Sequence, residues 1–172
     1  MAKIIFVSGI HGVGKSTLCE KLSLELGWPH YSCSTLIKQN SSYVEETKLV
    51  GSAEKNQLAL LHGISQIEDE TILLDGHFCL LDKEENVIEL SFDVFDQIAP
   101  SVILLVSCEE KTIHQRLEQR GGYVLGLDKI IELQEREVES SNRYSSKTNC
   151  KLLEYRSLES TEKLIAFLSD CY

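Results

Sequence analysis

The sequence is poor in proline and in positive charge. Its 172 residues include two prolines and one tryptophan, and 17 lysines and arginines stand against 27 aspartates and glutamates, for a formal charge of −10. Proteins that grip nucleic acid without reading its sequence rely on basic patches, so this acidic balance disfavours nucleic acid as a partner. It disfavours anionic membrane surfaces for the same electrostatic reason.

Long apolar runs and paired cysteines are also lacking. No segment approaches the ~20 apolar residues that cross a bilayer, and residues 1–9 lack the basic and apolar regions of a secretory signal. We therefore expect a cytoplasmic protein with no membrane partner, present as a monomer or a homodimer. The six cysteines show no C-x-x-C spacing, which favours free thiols over a zinc site or a disulfide framework.

Four apolar, β-branched runs predict buried strands at residues 3–7, 71–75, 102–106 and 150–155. Segments with the leucine and isoleucine spacing of helices lie between them. Strands that alternate with helices indicate an α/β fold with a parallel sheet. The segment 31–70 is too long for one simple crossover, so we predict a helical insertion there, with helices over roughly 34–48 and 52–69.

A glycine-rich loop follows the first predicted strand. Residues 9–16 match G-x-x-x-x-G-K-[ST] in full, between a strand and a helix. Backbone N–H groups of such a loop, together with the helix N-terminus, bind phosphate oxygens. We predict that Lys15 contacts the β- and γ-phosphates of ATP and that the Ser16 hydroxyl ligates Mg²⁺. The predicted nucleotide-binding residues are Gly9, His11, Gly12, Val13, Gly14, Lys15, Ser16 and Thr17.

The chain resembles the nucleoside monophosphate kinase family, which includes adenylate kinase. The resemblance rests on the early phosphate loop, on the helical insertion, and on R-L-E-Q-R at residues 116–120, which is similar to the family's R-L-x-x-R. It implies a three-layer P-loop NTPase fold with a parallel five-stranded sheet. The implied parts of this single domain are a core of residues 1–30, 71–119 and 129–172, an acceptor-binding helical insertion of about 31–70, and a short lid of about 120–128.

The resemblance also implies catalytic residues. Arg116 and Arg120 are four residues apart, so they share a helix face and are expected to contact the transferring phosphate. Asp75, in D-G-H at residues 75–77, is similar to the start of the family's D-G-F-P-R and would hold Mg²⁺ or align the acceptor. The family's arginine is missing from this stretch, which makes His77 the candidate to contact the acceptor.

Three further side chains are candidates for the acceptor site. S-C-S-T-L-I-K at residues 32–38 resembles the family's S-T-G-D-x-x-R, with Lys38 in the place of the arginine. Arg136 and Arg143 are seven residues apart and share a helix face, but each follows a glutamate by four residues. The sequence allows either substrate contact or ordinary ion pairing for these two arginines. The glutamate-rich stretch 135–139 is predicted to be a solvated face.

These patterns predict an ATP- and Mg²⁺-dependent phosphotransferase that acts on a small acceptor, with a nucleoside monophosphate as the first choice. One alternative is a P-loop kinase of a small hydroxyl compound, similar to shikimate or gluconate kinases, in which Asp75 would act as the base. The other alternative is a regulatory ATPase that binds the nucleotide and hydrolyses it slowly.

Overall fold

A computed structural model describes residues 2–45 and 51–172. Its main sheet has five parallel strands in the order β2-β3-β1-β6-β7, and β4 and β5 form a separate antiparallel hairpin. The predicted three-layer P-loop fold with a five-stranded parallel sheet is therefore confirmed. The strands are β1 (Lys3–Ser8), β2 (His30–Ser32), β3 (Thr71–Gly76), β4 (Cys79–Leu81), β5 (Val87–Glu89), β6 (Val102–Ser107) and β7 (Lys151–Arg156).

Helices connect the parallel strands. In the described ranges, no helix is both long and apolar enough to cross a membrane. The helices are α1 (Lys15–Leu26), α2 (Cys33–Gln39), α3 (Ser41–Glu45), α4 (Ser52–Ser65), α5 (Phe92–Ile98), α6 (Glu110–Arg120), α7 (Leu127–Thr148) and α8 (Glu162–Cys171).

The strand register brings several carboxyl ends to one edge of the sheet. Ser8 at the end of β1 lies beside Gly76 of β3, and Asp75 lies beside Ser32 of β2. Parallel strands end on the same side, so the loops that follow β1, β2 and β3 open together. This edge is where ligands bind in open α/β sheets.

Aromatic packing under this edge anchors the turn after β3. The Phe78 ring stacks on Phe95 at 4.1 Å between centroids, and Phe6 meets both rings edge-on at 5.6 and 5.4 Å. All three side chains are buried. Because Phe78 directly follows His77 in the chain, the core fixes the backbone from which the His77 side chain projects.

The predicted strands lie within one residue of β1, β3, β6 and β7. Strand β2 was not predicted because it has three half-buried residues and no apolar run. The β4–β5 hairpin, with two three-residue strands, was missed for the same reason. The helix predicted over 34–48 is divided into α2 and α3, and its residues 46–48 lie outside the described part of the chain.

A short connection joins α6 to α7 and lies where the lid is predicted. Helix α6 ends at Arg120, Gly121 takes a φ of 74°, and α7 begins at Leu127. Within the connection, the Tyr123 hydroxyl donates a hydrogen bond to Glu85 in the turn between β4 and β5. The lid segment therefore rests against the hairpin.

Candidate active site

The loop between β1 and α1 has the backbone conformation of a phosphate cradle. Gly12 and Gly14 have φ values of 88° and 99°, a backbone conformation that residues other than glycine rarely adopt. At Gly9, a Cβ would lie 2.6 Å from the Val106 carbonyl oxygen, so the base of the loop packs against β6 without room for a side chain. The three glycines are therefore required by the backbone of the loop.

The ammonium group of Lys15 lies inside this loop. Its Nζ donates hydrogen bonds to the carbonyl oxygens of Gly9 at 2.5 Å and Ile10 at 3.2 Å. Burial lowers the pKa of Lys15, while the charges of Asp75 and Glu137 oppose that shift. The loop carbonyls hold the ammonium at the mouth of the loop, where phosphate oxygens can replace them.

The loop separates two clefts. The first, called the central cleft, has a volume of about 320 Å³ and lies between the loop, the carboxyl end of β3 and the start of α2. It collects most of the residues predicted from the sequence. It is lined by His11, Gly12, Gly14, Lys15, Ser16, Thr17, His30, Ser32, Ser34, Thr35, Asp75, His77 and Arg120.

The second, called the outer cleft, has a volume of about 360 Å³ and lies between α1, α6 and the segment that follows β7. Gly14, Thr17 and Arg120 line both clefts, so the two clefts are neighbours that meet at these residues. This arrangement suits an extended ligand with one end in each cleft and its middle on the loop. ATP has this form, with a base and a sugar at one end and the γ-phosphate at the other.

The two arginines of α6 occupy different positions. Arg120 lines both clefts. Arg116 lines the outer cleft, and its guanidinium donates to the Gly12 carbonyl oxygen at 3.0 Å and to Ser157 Oγ at 3.3 and 3.4 Å. Arg120 therefore lies where the two clefts meet, whereas Arg116 links the phosphate loop to the segment after β7.

Asp75 ends β3 at the floor of the central cleft. One of its carboxylate oxygens contacts Nε2 of His30 at 2.5 Å, and both side chains are largely buried. His30 was not predicted as a site residue, because it lies in β2, which the sequence pattern did not reveal. The contact holds the carboxylate of Asp75 in one orientation toward the cleft.

Oxygen donors in the central cleft suit Mg²⁺. The Ser16 hydroxyl and the Asp75 carboxylate both line it, and hard oxygen ligands are those that Mg²⁺ prefers. The ligand atoms of Cys19, His30 and Asp75 also lie within 4.8 Å of one another. Burial raises the pKa of the Cys19 thiol, so that side chain is a poor ligand for Mg²⁺. Ser16 and Asp75 are the residues that fit the ion.

His11 in the loop and His77 after β3 both line the central cleft, and their rings are in contact, with 4.6 Å between the centroids. Burial and the nearby Lys15 charge lower the pKa of His77 to about 3, so its ring is neutral at physiological pH. Within the described residues, its buried Nδ1 has no hydrogen-bond partner.

Val13, predicted to bind the nucleotide, is buried and lines neither cleft. Three residues predicted for the acceptor site also do not line the central cleft. Lys38 is exposed on α2 and is absent from the described residues that line either cleft. Arg143 donates to both carboxylate oxygens of Glu89 at 3.1 Å, and Arg136 lies 4.0 Å from Glu89 and 3.6 Å from Glu139. The two arginines tie α7 to the β4–β5 hairpin, so their contacts match ion pairing.

One glutamate was assigned to the wrong environment. In the stretch 135–139, predicted to be a solvated face, Glu135 and Glu139 are exposed but Glu137 is 1% exposed. Glu137 lies seven residues after Ile130 and three after Gln134, and all three are buried. That helical spacing was the signal that could have identified it, and the charge of the stretch concealed it.

The fold and the loop define a P-loop protein of the kinase type, and comparison with known families agrees. The AAA domain family matches residues 8–131, more than half of the chain. The chain therefore belongs to this family of P-loop proteins.

Curated relatives confirm the resemblance to nucleoside monophosphate kinases. Adenylate kinase isoenzyme 1 of Rattus norvegicus is 32% identical over 126 residues, which cover 70% of this chain and 65% of that protein. The adenylate kinase isoenzyme 6 homolog of Drosophila melanogaster is 31% identical over 117 residues, 67% of this chain and 59% of that protein. The chain thus matches about three fifths of the length of these relatives.

Solved structures share the fold. A shikimate kinase from Bacteroides thetaiotaomicron has a TM-score of 0.58 at 14% identity and covers 98% of this chain and 96% of its own. A sugar kinase from Janibacter has a TM-score of 0.55 at 13% identity, with 98% and 92% covered. At these identities the likeness concerns the fold alone.

Proposed function

We propose that this protein transfers the γ-phosphoryl group of ATP to a small acceptor bound in the central cleft. The observation that carries the proposal is that Lys15, Asp75 and Arg120 line one cleft at the mouth of the phosphate loop. Phosphoryl transfer needs mainly positioning and neutralisation of charge, which these side chains supply. The base and sugar of ATP fit the outer cleft, on the other side of the loop.

The loop residues bind and orient the polyphosphate. Backbone N–H groups between Gly12 and Ser16 converge on the phosphate oxygens, and the N-terminus of α1 adds its positive end. The Lys15 ammonium exchanges the carbonyls of Gly9 and Ile10 for β- and γ-phosphate oxygens. Ser16 and Asp75 hold Mg²⁺, which neutralises charge on the phosphates when it is bound.

The acceptor side of the cleft favours a neutral hydroxyl compound. Its residues are His30, Ser32, Ser34, Thr35, Asp75 and His77. Within the described part of the chain, this side offers no lysine or arginine to grip an acceptor phosphate, and it carries one carboxylate. In the transfer step, Asp75 accepts the proton of the acceptor hydroxyl, the acceptor oxygen bonds to the γ-phosphorus, and the bond from that phosphorus to the β-phosphate oxygen breaks.

A nucleoside monophosphate is the second candidate acceptor. It is supported by the similarity to two adenylate kinases, at 31% and 32% identity. An acceptor phosphate already carries an anionic oxygen, so it needs no base. On this alternative Asp75 serves only as a ligand of Mg²⁺, and Arg120 bridges both phosphates.

A panel of acceptors tests the proposal. Purified protein with ATP and Mg²⁺ is incubated with nucleoside monophosphates, and separately with sugars, sugar acids and polyols, and ADP formation is compared with the rate without acceptor. We expect one of the hydroxyl compounds to raise the rate of ADP formation. Mass spectrometry should then detect the phosphate ester of that compound. Stimulation by a monophosphate would select the second candidate. Uniformly slow hydrolysis with every compound would contradict a kinase.

Replacing Arg120 with alanine is expected to lower kcat by about 100-fold, whereas the Kd for ATP changes by less than about threefold. Arg120 lines both clefts beside the loop, so its charge matters most when negative charge shifts between donor and acceptor. Steady-state kinetics and calorimetry measure the two quantities. Lys111→Ala, an exposed charge on the same helix, is the control. Equal losses in kcat and in affinity for ATP would mean that Arg120 contacts ATP equally in the ground state and the transition state.

A further inference from the structure

A single buried carboxylate in α7 joins two of the loops that frame the central cleft. Oε1 of Glu137 accepts from the N–H of Gly9 at 3.1 Å and of Phe78 at 2.9 Å. Its Oε2 accepts from the N–H of Phe78 at 2.9 Å and of Cys79 at 2.7 Å. Gly9 begins the phosphate loop after β1, and the other two amides belong to the turn after β3. One side chain therefore satisfies backbone donors in both loops.

These contacts set the positions of the two histidines in the cleft. Gly9 precedes His11 by two residues, and Phe78 directly follows His77. The rings of the histidines line the central cleft and contact each other, with 4.6 Å between the centroids. The carboxylate of Glu137 therefore fixes the phosphate loop and the turn after β3 relative to each other, although Glu137 itself lines neither cleft.

A second buried side chain of α7 makes a similar contact one turn earlier. Gln134 accepts from the Cys108 N–H at 3.1 Å and donates to the Cys108 carbonyl oxygen at 2.9 Å, directly after β6. Helix α7 is thus attached to the chain after β1, β3 and β6.

Burying a charged carboxylate at this position costs desolvation free energy. Burial raises the pKa of Glu137 to about 7, against the opposing effect of the amide hydrogen bonds and of Lys15. In the described residues, no lysine or arginine forms an ion pair with it. Apolar side chains often stabilise a core better than buried charge does. At this position the carboxylate accepts from three backbone N–H groups, which an apolar side chain would leave without this acceptor.

We infer that Glu137 is a positioning residue for phosphoryl transfer, whose carboxylate sets the phosphate loop and the His77 turn at the spacing that the reaction requires. The inference rests on the proposed phosphotransfer. It assigns Glu137 no contact with the nucleotide, the acceptor or Mg²⁺. Gly9 lies at the base of the loop and lines neither cleft, so its hydrogen bond to Glu137 would act on bound ATP only through the position of the loop.

The test replaces the carboxylate with an amide. In Glu137→Gln, one of the two terminal oxygens becomes an N–H donor that faces backbone donors, so the hydrogen bond from Gly9 or the one from Cys79 is lost. We expect kcat to fall about 10- to 100-fold, and the Kd for ATP to change by less than about threefold. Glu135→Gln, an exposed position on the same helix, is the matched control and should leave both quantities unchanged.

Amide hydrogen exchange tests the contact of Glu137 with the two loops without requiring turnover. In Glu137→Gln, peptides that cover residues 9–13 and 77–80 should exchange at least about tenfold faster, while a peptide covering β6 stays protected. Unchanged kcat, or unchanged exchange in those peptides, would overturn the inference. Faster exchange throughout the sheet, with kcat and ATP binding falling together, would also overturn it, because Glu137 would then be a purely structural group.

A second variant tests the inference if Glu137→Gln fails to fold. Glu137→Asp keeps the charge but is shorter by one methylene, so it reaches one loop and should give a kcat between those of the wild type and Glu137→Gln. A kcat for Glu137→Asp below that of Glu137→Gln would contradict the inference. If the wild-type protein neither binds ATP nor phosphorylates any acceptor, the proposed function fails, and the exchange experiment still decides whether Glu137 holds the two loops.

Discussion

Replacing Lys15 with alanine is expected to lower ATP turnover by about 10²- to 10³-fold and to weaken ATP binding. The Lys15 ammonium is buried at the loop and, among residues 2–45 and 51–172, donates hydrogen bonds only to two carbonyl oxygens of that loop. It is therefore the cation best placed to meet the β- and γ-phosphates. Turnover is measured as ADP formation, and binding is measured by calorimetry with ATP and Mg²⁺.

The control for Lys15 is Lys163→Ala, which removes an exposed ammonium from α8 and should leave both quantities unchanged. Circular dichroism and a melting curve show whether Lys15→Ala still folds. A folded Lys15→Ala protein with full turnover would contradict the assignment of the loop as the phosphate site. It would contradict the proposed function as well, because both clefts meet at that loop.

Replacing Asp75 with asparagine should give the second large effect, a fall in kcat of about 10²- to 10⁴-fold on a hydroxyl acceptor. Asparagine has nearly the same shape but cannot accept the hydroxyl proton, and its amide no longer carries the charge that faces His30. The Kd for ATP without Mg²⁺ should remain within about threefold of the wild type. The measurement is kcat with the acceptor that the panel identifies.

Magnesium dependence separates the two roles of Asp75. If the residue acts as the base, raising the Mg²⁺ concentration does not restore the activity of Asp75→Asn. Restoration at high Mg²⁺ would make Asp75 a metal ligand only, in agreement with a monophosphate acceptor. Asp170→Asn, an exposed carboxylate on α8, is the control. An Asp75→Asn variant with unchanged kcat at every Mg²⁺ concentration would remove the residue from the reaction.

The nucleotide side of the site was predictable because its residues are neighbours in the chain. Residues 9–17 carry the glycines, Lys15 and the hydroxyls within one strand–loop–helix unit, so local geometry alone places them together. The strands were predictable for a similar reason, since buried parallel strands are continuous apolar runs. Short or half-buried strands carry no such pattern, and β2 was missed with the histidine it holds.

The acceptor side was less predictable because distant segments build it. Helical spacing correctly placed Arg116 and Arg120 on one face, but their partners come from the loop and from the segment after β7. Only those contacts show that Arg116 links the loop to the segment after β7, whereas Arg120 lines the central cleft. In the same way, Arg136 and Arg143 share a face as expected, and the position of Glu89 on the hairpin decides what they contact.

By itself, the sequence determined the phosphate loop, the alternation of strands and helices, and the family resemblance, because each depends on residues close together in the chain. Tertiary structure decided which side chains share the central cleft. It paired His30 with Asp75 and buried Glu137 beneath two loops. The physical reason is that long-range contacts depend on how strands align at the sheet edge, and that alignment follows from packing of the whole core rather than from local pattern.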